Sequence, residues 1–119
     1  MKKILVVDDD EDILILLKSY FTINGYAVKT TTTCDEGLEI FYNFNPHLVL
    51  LDVNVGNVDG RIMCKTIKSQ AAHQHIPVIL MSANPDMLVP FAAFGAATVM
   101  EKPFNLSQLL LKVQSYTSP

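Results

Sequence analysis

The residues best suited to chemistry are aspartates that follow two apolar runs of this 119-residue chain. Residues 8–10 are three consecutive aspartates after the run 4–7, and Asp52 follows the run 48–51. Carboxylates that are brought close together repel each other, and a divalent cation relieves that repulsion. Hard carboxylate oxygens suit Mg²⁺, and the lack of histidine or cysteine at these positions argues against zinc. If the fold brings these acids together, they predict a magnesium site.

A carboxylate in such a place can also act as a nucleophile toward phosphorus and form an aspartyl phosphate. Phosphoryl transfer needs positioning and charge neutralisation more than covalent help from the protein. Ser82 and Lys102 follow two further apolar runs, so a hydroxyl and an ammonium group could join a cation around Asp52. Each residue alone has an ordinary explanation, as a helix cap, a turn residue or a solvated charge. Their joint placement favours phosphoryl chemistry on Asp52.

The elements that must position these residues are short apolar runs alternating with amphipathic segments. The predicted strands cover residues 4–7, 27–31, 48–51, 77–81 and 98–100, and the predicted helices cover 11–24, 33–44, 60–69 and 106–116. Pro85 and Pro90 interrupt the segment 84–94, so we expect only a short or distorted helix there. The predicted inner face of the first helix consists of Ile13, Leu16, Leu17, Tyr20 and Phe21.

Near-continuous apolar strands separated by helices indicate a parallel sheet that is buried on both faces. The fold class that we predict is α/β: a flavodoxin-like, doubly wound sheet of five parallel strands in the order 2-1-3-4-5, with helices on both faces. In such sheets the ligand site lies beyond the carboxyl ends of the strands, where the strand order reverses. This topology would bring the aspartates, Ser82 and Lys102 to one edge.

Composition excludes several classes of protein. Nine basic and 12 acidic residues give a formal net charge of −3, which provides no electrostatic footprint for nucleic acid or an anionic membrane. No apolar stretch reaches the roughly 18 residues of a membrane span, and no signal peptide is recognisable. Cys34 and Cys64 lack metal-type spacing and are expected to be buried or half-buried thiols. These features predict a single cytoplasmic domain.

Four segments, in their order and spacing, resemble the receiver domain of response regulators. They are ILVVDDDEDI at 4–13, LVLLDVNVGNVDG at 48–60, PVILMSA at 77–83 and GAATVMEKPF at 95–104. The resemblance covers essentially the whole chain and implies one receiver domain over residues 1–119, with no output domain in this chain. It implies a phosphoacceptor that uses Mg²⁺ as cofactor and catalyses its own phosphorylation and dephosphorylation. Such a protein is not an enzyme that turns over an external substrate.

Carried over by position, the resemblance implies a role for each site residue. Asp52 is the phosphoacceptor, Ser82 is the switch hydroxyl, and Lys102 pairs with Asp52 and then with the phosphoryl group. The implied metal ligands are Asp9 directly, Asp8 through water, Asp52, and Asn54 through its backbone carbonyl. Pro103 is expected to follow Lys102 through a cis peptide bond. Asp59-Gly60 is expected to form a turn in which glycine accommodates an unusual backbone conformation.

The chain departs from the family pattern mainly where the family transmits its signal. Gly56 replaces the usual proline, which predicts a looser loop, and Val99 replaces an aromatic residue that normally swings inward. Ala97 and Thr98 replace residues that are commonly acidic, and the stretch 82–95 is shorter than usual. These departures predict ordinary phosphorylation with an atypical readout.

The resemblance also implies partners. A sensor histidine kinase or a phosphotransfer protein would donate the phosphoryl group, and an unidentified protein would be the downstream target. A homodimer through the face of the short fourth helix expected in segment 84–94, the fifth strand and the last helix is a further expectation. Apolar residues near the two prolines are interpreted as core of a short helix, with an exposed patch for a partner as the alternative. They are Met87, Leu88, Val89 and Phe91.

Other functions on this fold remain as alternatives. A phosphorylation-independent interaction module would suit Val99 and the altered fourth helix, but it would not need the acids, Ser82 and Lys102. A haloacid-dehalogenase-type phosphatase would need a second acid two residues after the nucleophile, where this chain has Asn54. A flavin mononucleotide protein would need a phosphate-cradling loop after the first strand, where this chain has three aspartates. The histidines lie away from the predicted strand ends and are given no catalytic role; they are His47, His73 and His75.

Overall fold

Strands and helices alternate as predicted in the structure, a computed structural model that describes residues 1–118. The strands of the main sheet are β1 (Lys3–Val7), β2 (Ala27–Thr31), β3 (Leu48–Asp52), β4 (Val78–Ser82) and β5 (Thr98–Glu101). The helices are α1 (Glu11–Ile23), α2 (Cys34–Phe44), α3 (Gly60–Lys68) and α4 (Leu106–Thr117). Between β3 and α3, a short antiparallel ladder pairs Asn54–Val55 with Val58–Asp59.

The main sheet has the strand order β2-β1-β3-β4-β5, and every pair in it is parallel. This confirms the predicted order, in which the chain first moves outward from β1 to β2 and then returns to the other side of β1. The reversal places the carboxyl ends of β1 and β3 side by side. All residues of β3 and β4 are buried, as expected for central strands that are covered on both faces.

Helices cover both faces of the sheet, which confirms the predicted fold class. On one face, α1 and α4 pack against alternate strand residues such as Val6 and Leu50. On the other face, α2 and α3 pack against the intervening residues, such as Val7 and Leu51. Cys34 and Cys64 are free thiols buried on this second face, as expected. No helix within residues 1–118 is long and apolar enough to cross a membrane.

Local sequence accounts for the ends of α1. The Asp10 carboxylate accepts hydrogen bonds from the backbone N–H groups of Asp12 (3.0 Å) and Ile13 (3.3 Å), as the aspartates at 8–10 allowed. The helix stops at Asn24 and Gly25, and Gly25 has a φ of +93°, a conformation that favours glycine.

The inner face of α1 differs from the prediction. Leu14, Leu17 and Phe21 are buried, whereas Leu16, which was predicted to face inward, is 48% exposed. Because residues 13–17 are all apolar, two neighbouring helical stripes fit the sequence equally well. The packing of the helix on the sheet selects the stripe at 14, 17 and 21.

No α-helix forms between β4 and β5. The chain makes two 3₁₀ turns, Pro85–Met87 and Phe91–Phe94, and residues 85–94 are called the 85–94 segment below. Proline cannot donate a backbone hydrogen bond, so the two prolines limit this stretch to single turns. Both interpretations of its apolar residues hold in part, because Leu88 is buried while Val89 is 78% exposed.

Leu16 and Leu17 allow a matched test of the orientation of α1. Leu17→Ala is expected to lower the free energy of unfolding by about 2–5 kcal/mol, because it leaves a cavity under the sheet. Leu16→Ala should change it by less than about 1 kcal/mol, since that side chain is half exposed. Urea denaturation of both variants measures the difference. Equal losses in the two variants would contradict the orientation described here.

Candidate functional site

Three aspartates meet at the carboxyl ends of β1 and β3. Carboxylate oxygens of Asp8, Asp9 and Asp52 all lie within 4.8 Å of one another. Asp8 is fully buried, Asp52 is 6% exposed, and Asp9 is exposed at the rim. Asp10 is not part of this group, because its carboxylate caps α1. The sheet thus assembles the acidic cluster that the sequence predicted at this edge.

Lys102 reaches the cluster from the end of β5. Its Nζ lies 2.6 Å from Asp8 Oδ2 and 3.3 Å from Asp52 Oδ2. The resemblance implied a pairing with Asp52, and the structure adds a shorter contact with Asp8. Burial opposes the charged form of Lys102, but the hydrogen bond to Asp8 and the charges of Asp8 and Asp52 outweigh it, so the pKa of Lys102 is raised. The Lys102-Pro103 peptide bond is cis, as expected.

The folded structure disfavours the ionised form of Asp52. Burial and the neighbouring charge of Asp8 raise the pKa of Asp52 to about 6, although Lys102 and a backbone hydrogen bond from Asn54 work in the opposite direction. One ammonium group therefore offsets only part of the cost of burying this carboxylate beside Asp8. A further cation at this cluster would favour the ionised form of Asp52.

Gly56 contributes a hydrogen-bond donor that the sequence analysis missed. Its backbone N–H donates to Asp9 Oδ2 at 3.1 Å, and its φ is +62°. Proline, which is usual here in the family that the sequence resembles, has no N–H group and cannot adopt this φ. Gly56 and Asn57 form the two-residue turn of the short ladder, so the loop is organised rather than looser. The Val-Gly-Asn-Val pattern carried this signal, because Gly-Asn between β-branched residues is a hairpin pattern.

Gly60 is required for a different reason from the one predicted. It does not adopt a positive φ. Instead, a Cβ atom at this position would overlap the backbone carbonyl oxygen of Asp52. Its N–H group donates to the carbonyl of Val53 at 2.6 Å. The start of α3 is thereby packed directly against the backbone of Asp52.

Ser82 and Asn54 flank the cluster. Ser82 is the last residue of β4 and is 1% exposed, and its hydroxyl accepts a hydrogen bond from the Asn84 N–H at 3.0 Å. Its backbone carbonyl accepts from the N–H of Lys102 at 2.9 Å, which ties β4 to the lysine. Within residues 1–118, no hydrogen bond joins the Ser82 side chain to Asp52. Asn54 points its side-chain amide toward Met87 Sδ, 3.8 Å away.

The donor set at the cluster fits Mg²⁺. Three carboxylates provide hard oxygen ligands on one side of the site, with the exposed Asp9 at its open rim. Both oxygens of Asp8 are already engaged, one by the N–H of Asp10 (2.9 Å) and one by Lys102, so contact through water suits this residue. Asp9 and Asp52 retain more free acceptor capacity for an ion.

The three histidines lie at the opposite end of the sheet, as the sequence suggested. They line a cavity of about 380 Å³ next to the last turn of α4. His47 accepts a hydrogen bond from the Lys3 N–H at 3.0 Å, and Lys3 Nζ donates to the last carbonyl of α2, that of Phe44. Basic groups stabilise helix carboxyl termini, which accounts for the side chain of Lys3, while His47 satisfies the Lys3 N–H.

Comparison with known proteins agrees with this geometry. A family model described as a response regulator receiver domain matches residues 4–114. The chain is 33% identical over 117 residues to the transcriptional regulatory protein YxdJ of Bacillus subtilis, covering 97% of this chain and 50% of YxdJ. It is 34% identical over 117 residues to the nisin biosynthesis regulatory protein NisR of Lactococcus lactis, covering 95% of this chain and 49% of NisR. The chain thus spans about half the length of these relatives.

Solved structures give the same result. The chemotaxis protein CheY4 of Vibrio cholerae superposes with a TM-score of 0.90 at 26% identity, over 98% of both chains. The receiver domain of NtrX from Brucella abortus superposes with a TM-score of 0.86 at 31% identity, over 95% of this chain and 96% of that one. Sequence and fold therefore place this chain in the family of response regulator receiver domains of two-component signalling.

Proposed function

We propose that this chain is a phosphorylation switch that accepts a phosphoryl group on Asp52 in an Mg²⁺-dependent reaction. The observation that supports this most is the position of Lys102, whose ammonium group lies between the carboxylates of Asp8 and Asp52. A structural ion pair would need only one carboxylate. Here three carboxylates are concentrated at one edge, and the surplus negative charge suits a cation and an incoming phosphoryl group.

The Asp52 carboxylate would be the nucleophile. One of its oxygens forms a bond to phosphorus, while the bond between phosphorus and the donor atom breaks and its electron pair leaves with the donor. Lys102 Nζ, already 3.3 Å from Asp52, is placed to bind an oxygen of the transferred group. Ser82 lies on the neighbouring strand, where a local rotation of its hydroxyl would give a further hydrogen bond.

Asp9, Asp52 and the backbone carbonyl of Asn54 would hold the metal ion, with Asp8 bound through water. When bound, Mg²⁺ would neutralise charge on the phosphoryl oxygens during transfer. The same site would catalyse hydrolysis of its own aspartyl phosphate. We therefore regard the chain as a self-modifying switch rather than an enzyme with an external substrate.

Its partners follow from the family. A sensor histidine kinase or a phosphotransfer protein in the cytoplasm would be the phosphoryl donor, and the phosphorylated domain would bind a downstream protein differently. YxdJ and NisR are regulatory proteins about twice as long as this chain, and the target of this chain is a separate question. A homodimer would use a face made of β5, α4 and the 85–94 segment, since no α-helix is present between β4 and β5 within the described residues.

A phosphorylation-independent interaction module is the second candidate. It is favoured by Val99, which lacks the aromatic ring of the usual switch, and by the replacement of a helix with the 3₁₀ turns of the 85–94 segment. Nothing in such a module requires three carboxylates around one lysine. The two candidates differ in whether Asp52 can be phosphorylated.

The direct test is incubation of the chain with acetyl phosphate and Mg²⁺, followed by intact-mass measurement. The wild-type chain should gain one phosphoryl group, and Asp52→Asn should gain none, because the nucleophilic oxygen is lost. Addition of EDTA should also abolish the gain, since Lys102 alone would leave much of the charge of the phosphoryl group uncompensated.

Asp10→Asn is the matched control for this test. It removes a neighbouring acid outside the cluster, and asparagine still caps α1, so phosphorylation should remain close to that of the wild-type chain. A folded wild-type chain with no mass gain would refute the proposal and favour the interaction module.

The pH dependence of the free energy of unfolding tests whether Asp52 is charged in the metal-free protein. In EDTA the folded state holds the proton of Asp52 more tightly than the unfolded state, since its pKa rises from 3.8 to about 6. The contribution of this residue to stability should therefore fall as the pH rises from about 4 to about 6 and stay low above that. Asp52→Asn, which mimics the neutral form, should be more stable than the wild-type chain at pH 7.5 by on the order of 1–3 kcal/mol.

Most of that difference should vanish at pH 4, where the folded wild-type chain carries a neutral Asp52. Urea denaturation of both proteins at the two pH values measures it. A stability difference that does not change with pH would show that Asp52 is not the group responsible.

A further inference from the structure

Arg61, in the first turn of α3, contacts two parts of the molecule at once. Its guanidinium group forms a two-pronged ion pair with Asp59, with Nη2 2.8 Å from Oδ2 and Nε 3.0 Å from Oδ1. On the other side, Nη1 donates to the backbone carbonyl of Met87 at 3.4 Å, and the group lies 5.0 Å from the ring centre of Phe94. One side chain thus joins the loop after Asp52 to both turns of the 85–94 segment.

A second contact reinforces this connection. The side-chain amide of Asn54 lies 3.8 Å from Met87 Sδ. Residues 53–59, called the 53–59 loop here, are therefore attached to Met87 near both ends, through Asn54 directly and through Asp59 by way of Arg61. A movement of this loop would displace the 85–94 segment.

The 53–59 loop is in turn tightly coupled to Asp52. Gly60 packs so closely on the Asp52 carbonyl that no side chain fits there, and its N–H bonds to Val53. In the middle of the loop, the N–H of Gly56 donates to Asp9. A phosphoryl group on Asp52 would add negative charge and three strong acceptor oxygens beside these groups. The loop is therefore the part of the backbone that responds to that charge most directly.

Hydrogen bonds from α4 restrain the backbone at β5, the strand that carries Val99. Val99 has no aromatic ring to change position, and its backbone carbonyl accepts a hydrogen bond from Lys112 Nζ of α4 at 2.8 Å. The hydroxyl of Tyr116, also on α4, donates to the carbonyl of Ala97 at 3.5 Å. In contrast, the 85–94 segment forms only 3₁₀ turns, and its backbone hydrogen bonds are local, such as that from the Leu88 N–H to the Pro85 carbonyl at 3.0 Å.

We propose that Arg61 is a positioning residue that transmits the state of Asp52 to the 85–94 segment, in place of the aromatic switch that Val99 cannot provide. This inference rests on the proposed phosphorylation of Asp52. The ion pair with Asp59 fixes the guanidinium to the 53–59 loop, and the contacts with Met87 and Phe94 pass its movement on. The exposed Val89 in this segment would then present the signal to a partner.

Amide NMR spectra of the full chain test the proposal. They are recorded with Mg²⁺ alone and again after addition of acetyl phosphate, and the intact mass is measured on the same samples. In the wild-type chain, amide signals of the 85–94 segment should shift on phosphorylation. Arg61→Gln should be phosphorylated to the same extent, yet the shifts in this segment should be lost. A purely structural role of Arg61 would change the starting spectrum but would not remove the response.

Lys65→Gln is the matched control, because it removes the same charge one turn further along α3. Within the described residues Lys65 makes no hydrogen bond to the 85–94 segment, so this variant should respond like the wild-type chain. Phe94→Leu, which removes only the ring under the guanidinium, should weaken the response. Arg61→Lys keeps the charge but loses the planar group, so it should also lose most of the response. This variant replaces Arg61→Gln in the test if Arg61→Gln does not fold.

The outcomes separate this inference from the proposed function. If the phosphorylated Arg61→Gln variant shows the wild-type shifts, Arg61 is not the link and the inference is wrong. If the wild-type chain is phosphorylated but its 85–94 segment does not respond, the inference fails while the phosphorylation of Asp52 stands. If the wild-type chain gains no phosphoryl group, both fail, and the mass measurement shows it.

Discussion

The contact of Lys102 with two buried carboxylates is the interaction around which the site is built. Asp8 is fully buried, and an unpaired buried charge costs several kcal/mol, so Asp8 depends on the ammonium group 2.6 Å away. Lys102 follows β5, whereas Asp8 follows β1 and Asp52 ends β3. The contact can form only if these strands run parallel and end at the same edge. Sheet order and site charge therefore depend on each other.

The same contact leaves the site with an excess of negative charge. Burial and the charge of Asp8 raise the pKa of Asp52 to about 6, and the one lysine, which serves two buried carboxylates, offsets only part of this. Asp9 adds a third carboxylate at the rim. An assembly that existed only for stability would not retain this repulsion, because a neutral replacement would cost less. Stored electrostatic strain of this kind is common at functional sites. It is the physical reason for interpreting this edge as a phosphoryl-transfer site.

The two glycines near Asp52 show how closely the backbone is adapted to this site. Gly60 lets α3 begin in contact with the Asp52 carbonyl, and Gly56 turns the 53–59 loop so that its N–H reaches Asp9. The loop between β3 and α3 is thus an integral part of the site. Because Arg61 and Asn54 extend from this loop region to Met87, the loop also connects Asp52 to the altered 85–94 segment.

Local patterns in the sequence determined the alternation of strands and helices, the cap at Asp10, the absence of a regular helix around Pro85 and Pro90, and the placement of acids at strand ends. These features depend on neighbouring residues, so a single sequence contains them. Long-range packing decided the rest. The five apolar residues at 13–17 permit more than one inner face for α1, and only contact with the sheet selects it. The closer partner of Lys102, the space that excludes a side chain at Gly60, and the link through Arg61 all join residues from separate elements. Their distances are set by how the strands and helices pack, which no local pattern records.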